Sequence, residues 1–158
     1  MNDGPLVQKL KRIMRGEEQK AMTTLSSRII ERARWLPGER FWRYAVSLSC
    51  MACPIDHAGF EEAFRRHRAA WTPDCMRGAE RALYDALPPA LTIWRSQPRT
   101  LPLGLRWTDE RGIALRFGKG PQRRLFERRI PKSDIAFVTG GGDLVPEIFL
   151  FEAPRCRE

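Results

Sequence analysis

The double proline at Pro88–Pro89 divides the sequence into two halves with different apolar periodicities. Before it, apolar residues recur every three or four positions, which is typical of amphipathic helices. After it, short apolar runs alternate with Gly and Pro, which is typical of strands and turns. The sequence therefore predicts an α+β fold in a single domain over residues 1–158, with a helical subregion at 1–89 and a β-rich subregion at 90–158.

Five helices are predicted in the first half from the spacing of apolar side chains. Their stripes consist of Leu6, Leu10, Ile13 and Met14; Leu25, Ile29, Ile30 and Ala33; Phe41, Tyr44, Ala45 and Leu48; Phe60, Phe64, His67 and Trp71; and Met76, Ala79, Leu83 and Ala86. We expect the fifth helix to open at Thr72-Pro73, because Thr suits an N-cap and Pro suits the first helical position.

Five strands are predicted in the second half, in the runs ALTIWRS, LGLRWT, RRLFERRI, DIAFVT and VPEIFLF. One further helix, DERGIALRFG at Asp109 to Gly118, interrupts them. We expect the helical N-terminal half to pack on a mainly antiparallel β-sheet built from these strands.

The charge balance favours an anionic partner. The chain has 28 Lys and Arg against 19 Asp and Glu, a net charge of +9, which suits nucleic acid, an acidic protein or a phosphate-bearing ligand. An Arg-rich proteome would produce the same bias without functional meaning. No apolar run reaches membrane-spanning length and the start has no signal-peptide core, so we expect a cytoplasmic protein without a membrane segment.

The cysteines are interpreted as buried thiols. Cys50 and Cys53 have the C-x-x-C spacing of zinc sites, and His57, His67 and Cys75 follow them at irregular distances. A closed zinc site needs four converging ligands, and no second compact pair is present. No metal is therefore assigned.

Three polar residues stand in or beside the predicted strands, and each has an ordinary structural explanation. Arg95 can be a surface or ion-paired arginine. Thr108 can be the N-cap of the helix that follows it. Glu147, inside an apolar run, can pair with an arginine or face water on an edge strand, and Pro146 favours an edge because it cannot donate to a ladder.

The order of these residues resembles a known enzyme family. The motifs are Trp94-Arg95-Ser96, then Gly104-Leu105-Arg106-Trp107-Thr108, then Ala114 with Phe117-Gly118, then Glu147 in its apolar strand. Over Leu91 to Phe151 the chain resembles the arginine-serine-glutamate class of mono-ADP-ribosyltransferases, particularly small bacterial and phage members. The resemblance implies an ADP-ribosyltransferase-like fold and NAD as the substrate.

The resemblance also implies a role for each site residue. Glu147 would stabilise the oxocarbenium character that develops on the ribose when the nicotinamide glycosidic bond breaks. Arg95 would hold the diphosphate of NAD. The remaining residues implied in NAD binding are Ser96, Gln97, Trp107, Thr108 and Phe117.

Two positions depart from the family pattern. Arg106 replaces the usual serine, and Val145 stands where arginine-modifying members carry Glu or Gln, so arginine is not implied as the acceptor. The first hypothesis is thus an enzyme that transfers ADP-ribose to a macromolecule, a protein rather than a nucleic acid, or hydrolyses NAD. The alternative is a catalytically degenerate binding protein of this fold, such as a phage-encoded inhibitor of a host defence complex.

A third hypothesis is a nucleic-acid-binding protein. It would use two groups of arginines, one expected on a helix and one on a strand. They are Arg65, Arg66 and Arg68, and Arg123, Arg124, Arg128 and Arg129. Charge runs are usually solvated faces, and no recognised nucleic-acid-binding motif is present.

Overall fold

The computed structural model of the chain describes residues 26–49, 56–118, 120, 122–141 and 144–155. The predicted stripe at Leu6 to Met14 and the pair Cys50 and Cys53 lie outside these residues. In the described part the predicted α+β class is confirmed, with five helices and antiparallel sheets.

The helices are α1 (26–33), α2 (Gly38–Ser49), α3 (His57–Arg66), α4 (Gly78–Ala86) and α5 (Arg111–Phe117). Three short 3₁₀ turns accompany them, at Arg68–Ala70, Pro73–Cys75 and Lys132–Asp134. At the start of α3, the Asp56 carboxylate accepts a hydrogen bond from the backbone N–H of Gly59 at 3.0 Å, which satisfies one of the free donors of the first turn. Among the described residues, no helix combines the length and apolar character needed to cross a membrane.

The region between α3 and α4 differs from the prediction of two continuous helices. The α3 helix ends at Arg66, and Thr72-Pro73 opens only a 3₁₀ turn, without a hydrogen bond from the Thr72 side chain. Tertiary contacts explain the break. The Trp71 indole donates to the carbonyl of Ala136 at 2.6 Å, and the Met76 sulfur accepts from the N–H of Val138 at 3.3 Å. A continuous helix would turn these side chains away from that strand.

The strands are β1 (Ala90–Pro98), β2 (Arg106–Trp107), β3 (Arg123–Pro131), β4 (Ile135–Gly141) and β5 (Leu144–Leu150). They form two sheets, of order β1-β3 and β2-β5-β4, where the sequence predicted one. All pairings within the described strands are antiparallel. The backbones of Trp94 and Thr108 exchange hydrogen bonds of 2.7 and 3.0 Å, so an isolated bridge joins the two sheets at β1.

Aromatic side chains pack the helices against the three-stranded sheet. Phe41 of α2 and Phe64 of α3 are fully buried, and the Phe64 ring lies 5.8 Å from the ring of Phe137 on β4. The Phe137 ring stacks on Phe149 of β5 at 4.8 Å. Burying one such side chain contributes roughly 1.5–3 kcal/mol, so this cluster carries much of the stability.

A glycine shapes the connection that leads into β5. Gly140 has a φ of 93°, which side chains other than glycine rarely adopt, and a Cβ there would lie 2.6 Å from the carbonyl oxygen of Val145. The close approach of β4 to the start of β5 therefore requires glycine at this position.

Candidate functional site

A cleft of about 240 Å³ is lined by residues of β1, β2, β3, β5 and α5. Six of the seven predicted site residues line it, namely Arg95, Ser96, Trp107, Thr108, Phe117 and Glu147. The seventh, Gln97, is buried behind Arg95 with 3% of its surface exposed. The structure thus brings together residues that are far apart in the sequence.

Arg95 is held by neighbouring acceptors. Its Nε donates to Oε1 of Gln97 at 2.6 Å, and one terminal nitrogen donates to the carbonyl of Arg106 at 2.5 Å. Gln97 is itself fixed, because its amide donates to the carbonyls of Leu101 and Pro102 at 2.8 and 3.1 Å. Gln97 therefore positions the guanidinium of Arg95, although the resemblance implied a direct contact with NAD.

Strand alternation explains why Arg95 is half-buried. It lies on the same face of β1 as Leu91, Ile93 and Gln97, the three buried residues of that strand. Burial, followed by the positive charges of Arg106 and Arg123, lowers the pKa of Arg95 to about 10, against an opposing effect of Glu147. The side chain keeps its charge at neutral pH. The surface explanation for Arg95 is therefore excluded.

At Glu147, β5 has one hydrogen-bonded neighbour among the described strands. Glu147 pairs with Thr139 of β4, whereas β2 contacts β5 only at Ile148 and Phe149. The other edge of β5 at Glu147 therefore has no partner strand within the described residues, in line with the edge position that Pro146 favours. The carboxylate faces the cleft, with 30% of the side chain exposed.

The carboxylate of Glu147 pairs with an arginine. Its Oε1 lies 3.6 Å from Nε of Arg106, the residue in place of the family serine. Burial raises the pKa of Glu147, and the positive charges of Arg106 and Arg95 counteract that rise. Pairing with an arginine, one of the ordinary explanations for this glutamate, is therefore present, and it lies inside the cleft.

The β2 segment supplies one wall of the cleft. Trp107 is buried, and its indole donates to the carbonyl of Gly104 at 2.9 Å. Thr108 is not the N-cap of α5, because the cap position is Glu110. The hydroxyl of Thr108 instead accepts from the N–H of Glu110 at 3.1 Å, which forms a tight turn between β2 and the helix.

His57 is a site neighbour that the sequence pattern marked only as a possible zinc ligand. Its Nδ1 accepts from the N–H of Leu105 at 3.0 Å, and its Nε2 lies 3.4 Å from a terminal nitrogen of Arg95. Because Nδ1 accepts, the proton of the neutral ring is on Nε2, and the ring contacts Arg95 without accepting from it. A Cβ at Gly104 would lie 2.6 Å from this ring, so glycine permits the close approach.

The pKa of His57 is lowered to about 3 by burial first, and then by the charges of Arg95 and Arg106, against an opposing effect of Asp56. His57 is therefore neutral at physiological pH. It connects the start of α3 to the segment before β2 and to Arg95. No local pattern in the sequence could reveal this role, because its contacts with Leu105 and Arg95 join residues that are far apart in the sequence.

Arg123 is a second neighbour that the site prediction missed. The nucleic-acid hypothesis grouped it with other arginines of one strand, and the structure places it at the start of β3, paired with Pro98 of β1 and lining the cleft. Ala114 and Phe117 of α5 add apolar surface to the cleft, and Phe117 is 65% exposed.

The remaining sequence candidates that the structure describes do not line this cleft. His67 Nε2 lies 2.6 Å from the carbonyl of Arg34, and Cys75 is buried, which raises the pKa of its thiol to about 11. In the part of the chain that is described, no three His, Cys, Asp or Glu side chains gather as metal ligands. Arg68 lies beyond the end of α3, with its guanidinium 3.3 Å from the ring centroid of Phe151, so Arg65, Arg66 and Arg68 do not share one helix.

The arrangement in the cleft suits an anionic ligand with an aromatic part. Three guanidinium groups, of Arg95, Arg106 and Arg123, face one carboxylate, and aromatic and aliphatic side chains complete the walls. Arginine in such settings binds phosphate and carboxylate groups through paired hydrogen bonds. No family model, curated protein or solved structure matches this chain.

Proposed function

We propose that the cleft binds NAD as a substrate and that the protein is an ADP-ribosyltransferase-like enzyme. It cleaves the nicotinamide glycosidic bond and transfers ADP-ribose to a macromolecule, a protein rather than a nucleic acid. The observation that carries the proposal is that Arg95 of β1 and Glu147 of β5, which belong to different sheets, line one cleft.

Glu147 acts on the ribose. When the bond between C1′ and the nicotinamide nitrogen breaks, its electron pair leaves with nicotinamide, and positive charge develops on the ribose ring. The carboxylate accepts a hydrogen bond from a ribose hydroxyl and stabilises that charge. The acceptor then forms a bond to C1′ and loses a proton. Because burial raises the pKa of Glu147, the reaction slows on acidification as this carboxyl group is protonated.

The other cleft residues bind and orient the dinucleotide. Arg95, fixed by Gln97, holds a phosphate, and Ser96 and Thr108 contribute hydroxyl groups. Trp107 and Phe117 contribute aromatic surface for the nicotinamide. At about 240 Å³ the cleft is smaller than common small-molecule sites, so part of the dinucleotide extends beyond it.

Incubation with NAD and cell lysate tests the proposal, with nicotinamide release and labelled transfer as the two readouts. We expect Glu147→Gln and Arg95→Gln each to lower the rate by about 100-fold or more, the usual cost of removing one charge-stabilising group. Glu62→Gln, at an exposed position of α3, is the matched control and retains the rate. A wild-type protein that neither binds NAD nor releases nicotinamide contradicts the proposal.

The second candidate is a binding protein that has lost catalysis and acts by occluding a protein partner, for example as a phage-encoded inhibitor of a host defence complex. The ion pair between Arg106 and Glu147 favours it, since a carboxylate paired with a guanidinium is less available to the ribose. Arg106→Ser restores the residue usual in the family. Nicotinamide release by this variant alone supports the degenerate binder, whereas release by the wild type supports the enzyme.

A further inference from the structure

The three arginines of the cleft have different partners. Arg95 donates to Gln97 and to the carbonyl of Arg106, and Arg106 lies beside Glu147. The Nε of Arg123 is buried from solvent and has no hydrogen-bond partner among the described residues. Because that Nε has no accessible surface, a ligand in the cleft would meet the terminal nitrogens of the Arg123 guanidinium.

Arg123 and Arg95 line the same cleft from two paired strands. In the β1–β3 pair Arg123 is opposite Pro98, three residues along the strand from Arg95. Because side chains alternate between the two faces of a strand, this offset does not by itself put the two side chains on one face, and Arg123 reaches the cleft at the end of the β1–β3 pair. The positive charge of Arg123 helps to lower the pKa of Arg95.

The charge of the cleft suits two linked phosphates. Three guanidinium groups against the single carboxylate of Glu147 leave two positive charges in excess. Two linked phosphate groups in a diester carry two negative charges, whereas a lone apolar or singly charged ligand leaves like charges unrelieved in a partly buried place. The small volume of the cleft favours a compact ligand over an extended nucleic-acid strand.

We propose that Arg123 is a phosphate-binding residue of the cleft, which holds the second of two linked phosphate groups while Arg95 holds the first. This inference rests on the proposed function, because the linked phosphates are those of the dinucleotide. It adds a ligand-binding residue outside the motifs that resemble the family.

Calorimetric titration with inorganic pyrophosphate and with inorganic phosphate tests this role. We expect the wild-type protein to bind pyrophosphate at least about tenfold more tightly than phosphate, because each charge-assisted contact contributes about a factor of ten or more. Arg123→Gln lowers pyrophosphate affinity by about tenfold and phosphate affinity by less than about threefold, since Arg95 still binds one phosphate.

Arg124→Gln is the matched control, because it removes the same charge from the next residue of β3, where the side chain is exposed and lies over Phe126. Equal losses in both variants would show a general charge effect and overturn the inference, as would an unchanged pyrophosphate affinity in Arg123→Gln. Tighter binding of a single-stranded oligonucleotide than of pyrophosphate, lost equally in both variants, would overturn it in favour of a nucleic-acid surface.

Two controls accompany the titrations. Thermal unfolding of Arg123→Gln establishes that the variant is folded. Arg123→Lys keeps the charge but not the planar donor pair, and it is expected to recover part of the affinity.

The results for pyrophosphate binding and for nicotinamide release separate this inference from the proposed enzyme. Pyrophosphate binding that depends on Arg123, without nicotinamide release by the wild type, contradicts the enzyme and leaves the phosphate site intact. Nicotinamide release that is unaffected by Arg123→Gln contradicts the phosphate site and leaves the enzyme intact.

Discussion

The interface of α2 and α3 with β4 and β5 differs from the cleft beside β1 in what its side chains do for stability. The interface is a set of fully buried aromatic rings in edge and stacked contact, and every such contact favours folding. The cleft contains several arginines and a partly desolvated carboxylate. Bringing like charges together and removing a carboxylate from water both lower the stability of the folded state. A protein that keeps such a region near a stable core has the usual pattern of a ligand site.

Replacing a phenylalanine by alanine in each region is expected to give the largest difference in the free energy of unfolding. Phe64→Ala removes a fully buried ring that contacts Trp42 and Phe137, and we expect the free energy of unfolding to fall by about 3–5 kcal/mol. Phe117→Ala removes a ring that is 65% exposed at the cleft rim, and we expect a change within about 0.5 kcal/mol. Urea denaturation measures both, and equal losses would remove the contrast.

Acidification is expected to lower the free energy of unfolding through His57, which lies between the helices and the cleft. Its folded-state pKa of about 3 lies below the ordinary 6.5, so the stability it contributes is complete above pH 6.5 and is lost as the pH falls toward 3. Within that window one such proton contributes a slope of about 1.4 kcal/mol per pH unit. His57→Asn keeps an acceptor for the N–H of Leu105 and cannot titrate. Denaturation across this range should show a shallower slope in the variant, and identical slopes would exclude this role.

The buried hydrogen bonds of Gln97 can be removed without changing the charge of the cleft. Gln97→Leu removes the acceptor of the Arg95 Nε and the donor to Leu101 and Pro102. We expect a loss of about 1–3 kcal/mol in the free energy of unfolding from these unpaired groups, together with weaker pyrophosphate binding. Gln122→Leu, at an exposed position before β3, is the control and is expected to stay within about 0.5 kcal/mol. Equal effects in both variants would show that Gln97 has no positioning role.

The smallest expected effect is a gain in the stability of the protein when Glu147 is replaced by glutamine. Because burial raises the pKa of Glu147, the folded state favours the protonated form, and the stability from this group is lost as the pH rises through the folded-state pKa. Glu147→Gln should therefore be more stable than the wild type at neutral pH and equal to it below the ordinary pKa of glutamate. Thermal unfolding at the two pH values checks this. A variant less stable at neutral pH would show that the ion pair with Arg106 outweighs desolvation.

Local patterns predicted much of the fold. The five strands follow the five apolar runs, and α5 lies within Asp109 to Gly118 as expected, because alternation and turn residues act over a few positions. The helices at Phe60 to Ala86 were predicted with wrong bounds. There, the contacts of Trp71 and Met76 with β4 override the local preference for helix.

For the candidate site, the order of short motifs placed Arg95, Trp107 and Glu147 in one group, and these residues do line one cleft. The motifs did not reveal Arg123 or His57. Arg123 reaches the cleft only through the register of β1 with β3, and His57 only through the approach of α3 to Gly104. Both relations join distant parts of the chain and have no local signature.

The sequence by itself determined the helical character of the described residues before Pro88, the antiparallel strands after it and the residue types of the site, because periodicity, turn chemistry and charge are properties of neighbouring residues. Only the tertiary structure decided that the strands form two sheets, that Arg106 pairs with Glu147, and that Arg123 and not the whole arginine run faces the cleft. These outcomes depend on strand register and on how desolvated charges find partners, which are settled when distant segments pack together.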